Sequence, residues 1–393
     1  MKFSPEEKPR LRPVDAFPVS LRGQEVILLR DPLGYAASPL AVAKEMAPLL
    51  VALDGNHSLR DLQVIAARAL GRLVMLEEIE NFLATLDKNL FLETKYFETT
   101  RQKLEDEFRR QKTRPATHAG QSYPAEGKEL SQFLANILAL WPVRSQYFPR
   151  AIIAPHIDLR AGARAFAAAY QGLSWPRGAR IILIGTGHFL ESAFSVAYKH
   201  FETPLGHVPY DEDFVSRLEK ELNMDLRGHE WAHKHEHSLE FQAIFLKYLL
   251  GDFKIVPILV SGPQGESKNS LEKLAQALKR LVDEKTFLVT GVDFCHLGLR
   301  YGDRQPAGEP EKQEAKMFDH EILKKLLSLD AEGFYKTLAP KDNYYKVCGF
   351  GPLYVLARTL SGKNLTGTIL YQDAVDFGQG SIVSFAAAAF FDR

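Results

Sequence analysis

Three short motifs set histidine or aspartate just behind apolar runs, and a fourth sets a cysteine ahead of one. Pro155 and His156 follow AIIA (151–154), and Thr186, Gly187 and His188 follow IILIG (181–185). Asp293 and His296 come after FLVTG (287–291), and Cys348 lies in VCGFGP (347–352). Imidazole binds borderline transition metals and moves protons near neutral pH, and a thiolate binds soft metals or attacks carbonyl carbon. One histidine at a strand end is ordinary. Three strand ends that each close on His or Asp-x-x-His are hard to explain as independent accidents, so they point to one shared crevice.

Two further features are candidates. The tract HEWAHKHEHSLEFQ carries His229, His233, His235, Glu236 and His237. Glu236 and His237 stand nearest a helix start with Ser238 as a possible cap, so they either line the crevice or cap the helix. Cys348 precedes an apolar helix at 353–360, and a thiol near a helix N-terminus is expected to have a lowered pKa. Cys295 alternates with Asp293 in a strand-like stretch and should point away from it.

The elements that must position these residues are legible from periodicity. Continuous apolar runs at 151–154, 181–185, 255–260, 287–291 and 381–391 suit strands covered on both faces. Helical spacing recurs at 128–140, 160–170, 211–222, 238–250, 271–282 and 311–329. The alternation predicts an α/β sheet flanked by helices, in which ligands gather outside the carboxyl ends of strands.

Before that region, residues 1–97 read as a small helical module. A short strand EVILL (25–29) precedes helices expected at 39–53, 58–70 and 76–86, and NLFLE (89–93) could return as a strand or wing. Ser58 and Asp61 form a helix-start signal. The pattern suggests a winged helix. Through LLVALDGNHSLRDLQVIAARAL and LEEIENFLATLDKNLFLE the module also resembles PqqD-like modules, which hold peptides or accompany radical-enzyme systems. Residues 98–114 are charged with both signs and read as a linking helix, which leaves 115–393 as the second domain.

Composition narrows the function classes. With 49 basic and 49 acidic residues there is no global field for nucleic acid or anionic lipid, and two cysteines cannot build a disulfide framework. A cytoplasmic protein is expected, without signal sequence or membrane span. The stretch 382–391 is about half the ~20 apolar residues a spanning helix needs.

From AGQSYPAEGKEL, which begins at Ala119, matches run in order through APHIDLRAG, ILIGTGHF, ETPLGHVPYDEDF, EHSLEFQ, VPILV, VDFCHLGLRYGD and CGFGP. Together they resemble the Memo family, of the AmmeMemoRadiSam system protein B type, whose domain is similar in fold to class III extradiol dioxygenases. The resemblance implies a metal set of His156, His188 and Cys348, with His237, Asp293 and His296 lining the same pocket. It also implies a radical-SAM protein and an AMMECR-type protein as partners.

Two departures concern the surface that would face substrate. Ile157-Asp158-Leu159 replaces the usual Ala-Gly-Tyr, and Gly187-His188-Phe189 replaces Ser-His-His. With this donor set iron(II) is the favoured ion, while the cysteine also suits copper or zinc. His237 and His296 would then serve as general acid or base, and Asp293 would orient an imidazole. A non-heme redox enzyme or oxygenase, a non-catalytic metal- or peptide-binding scaffold, and a Cys348/His hydrolase are the readings to separate.

Residues 1–97 carry 12 Lys or Arg against 13 Asp or Glu, so this segment lacks the basic face of a DNA-binding winged helix. We expect no salt-dependent, sub-micromolar complex between it and duplex DNA, as a fluorescence anisotropy titration at two ionic strengths would show.

Overall fold

The computed structural model describes residues 3–145 and 147–393. The chain forms two compact units, dividing after Arg110.

The first unit opens with strands Asp15–Leu21, Gln24–Arg30 and Leu40–Ala43 in an antiparallel sheet. Leu21 pairs with Gln24, so Arg22 and Gly23 alone form the turn, and both have positive φ, as a tight hairpin requires. Helices Ala47–Ala52, Leu59–Leu70, Leu76–Lys88 and Lys95–Arg110 follow. Ser58 and Asp61 make the expected reciprocal cap.

The unit holds more β structure than the helical pattern predicts. Of the stretch expected as one helix at 39–53, the start is the strand Leu40–Ala43, where Val42 is buried and Ala41 and Ala43 are exposed. The 89–93 segment supplies only a bridge from Leu92 to Leu11. The charged stretch expected as a linker at 98–114 is mostly the helix Lys95–Arg110, which belongs to the first unit. Its Phe97 ring is buried, with the Arg12 guanidinium 3.9 Å above it and Tyr35 edge-on at 5.5 Å.

The second unit is built on an eight-stranded mixed sheet. Its centre is four parallel strands in spatial order Ala151–Ala154, Thr286–Gly291, Ala179–Thr186 and Phe253–Val260. Antiparallel strands close both sides: Phe194–Val196 beside Phe253–Val260, and Ser381–Asp392 beside Ala151–Ala154. The central strands are apolar throughout because both faces are covered. Ile153, Ile182 and Leu288 pack into one core, and Ile152, Ile181 and Val289 into the other.

The predicted helices are present with shifted ends, the largest shift being Ser267–Leu281 for 271–282. The helix Ala331–Leu338 and the strand Leu365–Asp376 have no counterpart in the sequence reading. That strand is mostly half-buried and mixes polar with apolar residues, so it lacks the continuous apolar signal of its neighbours. None of the described helices is long and apolar enough to cross a membrane.

Three of the parallel strands end level, since Gly291 pairs with Ala154 on one side and Gly185 on the other. Across these ends lies the first turn of the helix His237–Leu250. A Cβ on Gly185 would stand 2.4 Å from Ser238 Oγ, and one on Gly291 would stand 2.3 Å from the Ser238 carbonyl oxygen. Neither glycine has a positive φ, so close approach of the helix, rather than backbone freedom in a turn, accounts for them. Gly291→Ala should therefore lower stability by about 1–3 kcal/mol, the usual range for overpacking, read as a lower urea midpoint at unchanged slope.

Candidate metal centre

The site is assembled from three directions. The level strand ends deliver His156, His188 and Asp293, the helix His237–Leu250 brings Glu236 and His237 from one face, and the turn before helix Phe350–Leu360 brings Cys348 from the other. Helix residues Phe241 and Phe245 lie in one core and Leu353 and Leu356 in the other, so the two helices cover opposite faces of the sheet.

Each ligand candidate is held by a neighbour. His156 places Nδ1 3.0 Å from the Gly291 carbonyl, which accepts its proton, and turns Nε2 towards Cys348 Sγ at 3.4 Å. His188 directs Nδ1 at the Glu236 carboxylate, 3.1 and 3.0 Å from its two oxygens, and its amide donates to the same group. Both rings thus commit Nδ1 and leave Nε2 for the crevice. Donor atoms of His156, His188 and Cys348 all lie within 4.8 Å of one another. Two ligands bound to one ion by a sulfur at 2.3 Å and a nitrogen near 2.05 Å stand about 3.6 Å apart in tetrahedral geometry, close to the His156–Cys348 spacing.

Asp293 sits deeper than a simple orienting group. Its Oδ1 accepts from the amides of His156 and Ile157 at 3.0 and 3.1 Å, while Oδ2 faces His156 Nε2 at 3.6 Å. The Gly291 carbonyl and Glu236, rather than Asp293, fix the two imidazoles. Burial pushes the Asp293 carboxyl up to about 6, against the pull of His296 and the two amides.

His296 donates Nδ1 to main-chain oxygen and packs edge-on to Tyr301 at 4.9 Å, on the rim of the donor group. His237 stacks on His188, with ring centres 4.9 Å apart.

Electrostatics follow from depth. Burial lowers His156 to about 3, with His188 adding to the effect, and burial likewise lowers His237 and His296. For His188 burial acts in the same sense, but Glu236 and Cys348 outweigh it and hold the ring well above its ordinary value. Glu236 is its counterpart: burial would raise it, and His188 with the Ser238 amide pulls it well below the carboxylate range. The expectation of a lowered Cys348 pKa fails. Burial pushes the thiol up despite His188, because Cys348 is packed among buried groups.

The motif EHSLEFQ owes its polar positions to separate fastenings. Glu236 caps the helix and holds His188, so the two roles left open by sequence are both filled. Ser238 Oγ donates to the Thr186 carbonyl, and Gln242 Nε2 donates to the Pro155 carbonyl, just ahead of the two histidines. Glu240 accepts from Arg114 at 2.5 Å, from Tyr123 and from the His118 amide.

Arg114 also donates to the carbonyls of His233 and Glu236 at 2.6 and 2.8 Å. Sequence reasoning passed over Arg114, His118 and Glu240. The signal was Glu240, a charge set within an otherwise buried apolar helix. Of the histidine tract, His233 is fully buried and belongs to neither donor group, and His235 offers its carbonyl to His118 Nε2. Cys295 points away from Asp293 as expected, its Sγ 3.1 Å from Asp319 Oδ1 on the helix Glu309–Leu327.

The second unit is thus a parallel-centred α/β sheet with His156 and His188 behind its strand ends and Cys348 brought beside them by a helix start. The chain belongs to the family of Memo-like proteins, whose model matches residues 114–389. A MEMO1 family protein of Aquifex aeolicus (strain VF5) is 29% identical over 393 residues, covering 98% of this chain and 100% of that one. A second from Thermus thermophilus is 29% identical over 280 residues, covering 70% of this chain and 82% of its own. One from Methanosarcina mazei is 26% identical over 276 residues, with 68% and 96% covered.

Burial lowers the His233 ring to about 3, and the Arg114 guanidinium adds to the effect. A base depressed from 6.5 to about 3 by folding destabilises the folded state as pH falls below 6.5, because only the unfolded chain then takes up the proton. At pH 5 the loss from this ring is about 2 kcal/mol. His233→Gln should show a smaller fall in urea midpoint between pH 7 and pH 5 than the parent, and equal falls would refute the assignment.

Proposed function

We propose that the second unit binds one redox-capable or divalent transition metal through His156 Nε2, His188 Nε2 and Cys348 Sγ, and that it acts as a non-heme oxidoreductase or oxygenase. The observation that carries this reading is the pairing of each imidazole's Nδ1 with a fixed acceptor, which turns His156 Nε2 to the Cys348 sulfur and leaves His188 Nε2 for the same group, within 4.8 Å. Three protein donors suit a site with open coordination positions better than a closed structural zinc site. Iron(II) is favoured, with copper and zinc as the competing ions. The bound metal would supply Lewis acidity or electron transfer next to substrate.

The chain's own groups have distinct parts in this reading. Asp293 fixes the His156 main chain and presents a buried oxygen to the crevice. Burial lowers His237 and His296 and so favours their neutral form, which leaves each imidazole as a candidate general base beside the crevice. The Cys348 hydrolase reading is less well supported, since a thiol raised by burial is a poor nucleophile. Family resemblance supports a radical-SAM protein and an AMMECR-type protein as working partners, for which co-purification of tagged chain is the check.

Elemental analysis of protein purified without oxygen tests the site. His156→Ala, His188→Ala and Cys348→Ala should each lose at least about tenfold in metal affinity while keeping the far-ultraviolet spectrum, because an open site contributes little to folding. Unchanged occupancy in two of the three would discard it. Oxygen uptake by the loaded protein with a catechol-type substrate separates turnover from a binding scaffold.

A further inference from the structure

The donor group just described uses one nitrogen of His188. Its other nitrogen belongs to a second cluster: His188 Nδ1, the Glu236 carboxylate and His237, whose ligand atoms also lie within 4.8 Å of one another. Glu236 Oε2 is 3.0 Å from His188 Nδ1, and Oε1 is 3.4 Å from His237 Nδ1. Two light-atom ligands bound near 2.0–2.1 Å at tetrahedral or somewhat smaller angles stand about 3.0–3.4 Å apart, so both spacings match ligation of one ion. The His188 and His237 rings stack with 15° between their planes, and both bring Nδ1 to the same carboxylate.

We propose that the crevice holds a second divalent cation, bound by His188 Nδ1, Glu236 and His237, with His188 as an imidazolate bridge to the His156–Cys348 ion. The bridging half of this inference rests on the function proposed above. The second cation takes the place of the proton shared between His188 Nδ1 and Glu236, which leaves to solvent.

The two positions differ in chemistry. The first has a thiolate and suits softer ions. The second has two imidazoles and a carboxylate, the set that takes zinc, cobalt or iron(II) with positions left open. Its carboxylate is almost wholly buried, while the His188 and His237 side chains are 28% and 32% exposed. The charge that binds is thus fixed inside, and the free coordination positions face outwards. A second cation would also add compensating charge to a buried carboxylate that is otherwise held by His188 and the amides of His188 and Ser238.

Cobalt(II) titration of the metal-free, full-length chain distinguishes the sites. A thiolate-to-cobalt charge-transfer band in the near ultraviolet reports only on the Cys348 ion, and visible ligand-field absorption reports on both. We expect two equivalents in the parent protein. His237→Ala should bind one equivalent with the charge-transfer band retained, and Cys348→Ser one equivalent without it. Glu236→Gln should behave as His237→Ala and guards against a folding defect in either variant.

One equivalent in the parent, unchanged in number and charge transfer by His237→Ala, would overturn the second site and leave the first standing. One equivalent without charge transfer, lost in His237→Ala, would keep the second cation and discard the Cys348 site together with the bridge. No binding at all would overturn both.

Discussion

The first turn of the helix His237–Leu250 rests directly on backbone, because the strand positions beneath it are Gly185 and Gly291. Everything in the crevice depends on that close approach. With the turn so near, Ser238 Oγ reaches the Thr186 carbonyl, Glu236 reaches the His188 ring and Gln242 reaches the carbonyl of Pro155. A single methyl at either glycine would lift the turn and lengthen all three bonds together. The opposite face uses the same device, since a Cβ on Gly351 would collide with the Ser261 carbonyl and one on Gly349 would stand 2.8 Å from Val292 Cβ. Two helix starts are thereby drawn onto one line of strand ends, and Cys348 meets His156 there.

Holding the loop 229–236 in place needs more than apolar contact, since its polar residues would be equally content in water. The Arg114 guanidinium supplies the hold, joining Glu240 to the carbonyls of His233 and Glu236, all inside the protein. A buried ion pair is weak evidence for stability, because desolvation offsets much of its attraction. Its planar fork of donors does impose direction, and here it fixes the main chain that aims Glu236 at His188. Arg114 lies at the first position of the family match, so the matched region begins with the residue that braces the site.

Much of this was legible in the sequence, for identifiable reasons. Strands buried on both faces write continuous apolar runs, so 151–154, 181–185, 255–260 and 287–291 stood out, and the polar residues behind them marked the crevice. The strand Leu365–Asp376 writes no such run, because its burial is partial and uneven. Periodicity also failed at Leu40–Ala43, where alternation over four residues was read as part of a longer helix. In the site, His118 and Arg114 could not be placed, since they reach Glu240 across more than a hundred residues of chain. The Cys348 pKa was misjudged because a helix start suggests stabilised thiolate, whereas the depth of the crevice decides the outcome.

The two departures from the family pattern have different consequences. Ile157 is buried and lies where a Cβ on Gly162 would meet its Cγ2 at 2.5 Å, and Leu159 is fully buried. Asp158 accepts from the amides of Arg160 and Ala161 and so shapes the turn. The segment Ile157-Asp158-Leu159 therefore belongs to the packing behind His156, and the expectation that it alters the substrate-facing surface gives way to a structural role. Phe189 differs. It is 44% exposed, its ring centre lies 6.4 Å from that of His188, and its position carries a histidine in the usual triplet. Replacing an ionisable ring by an exposed apolar one beside His188 removes a proton carrier and adds a hydrophobic edge. Of the two departures, Phe189 is thus the one that changes exposed surface beside His188, while Ile157 and Leu159 change the interior.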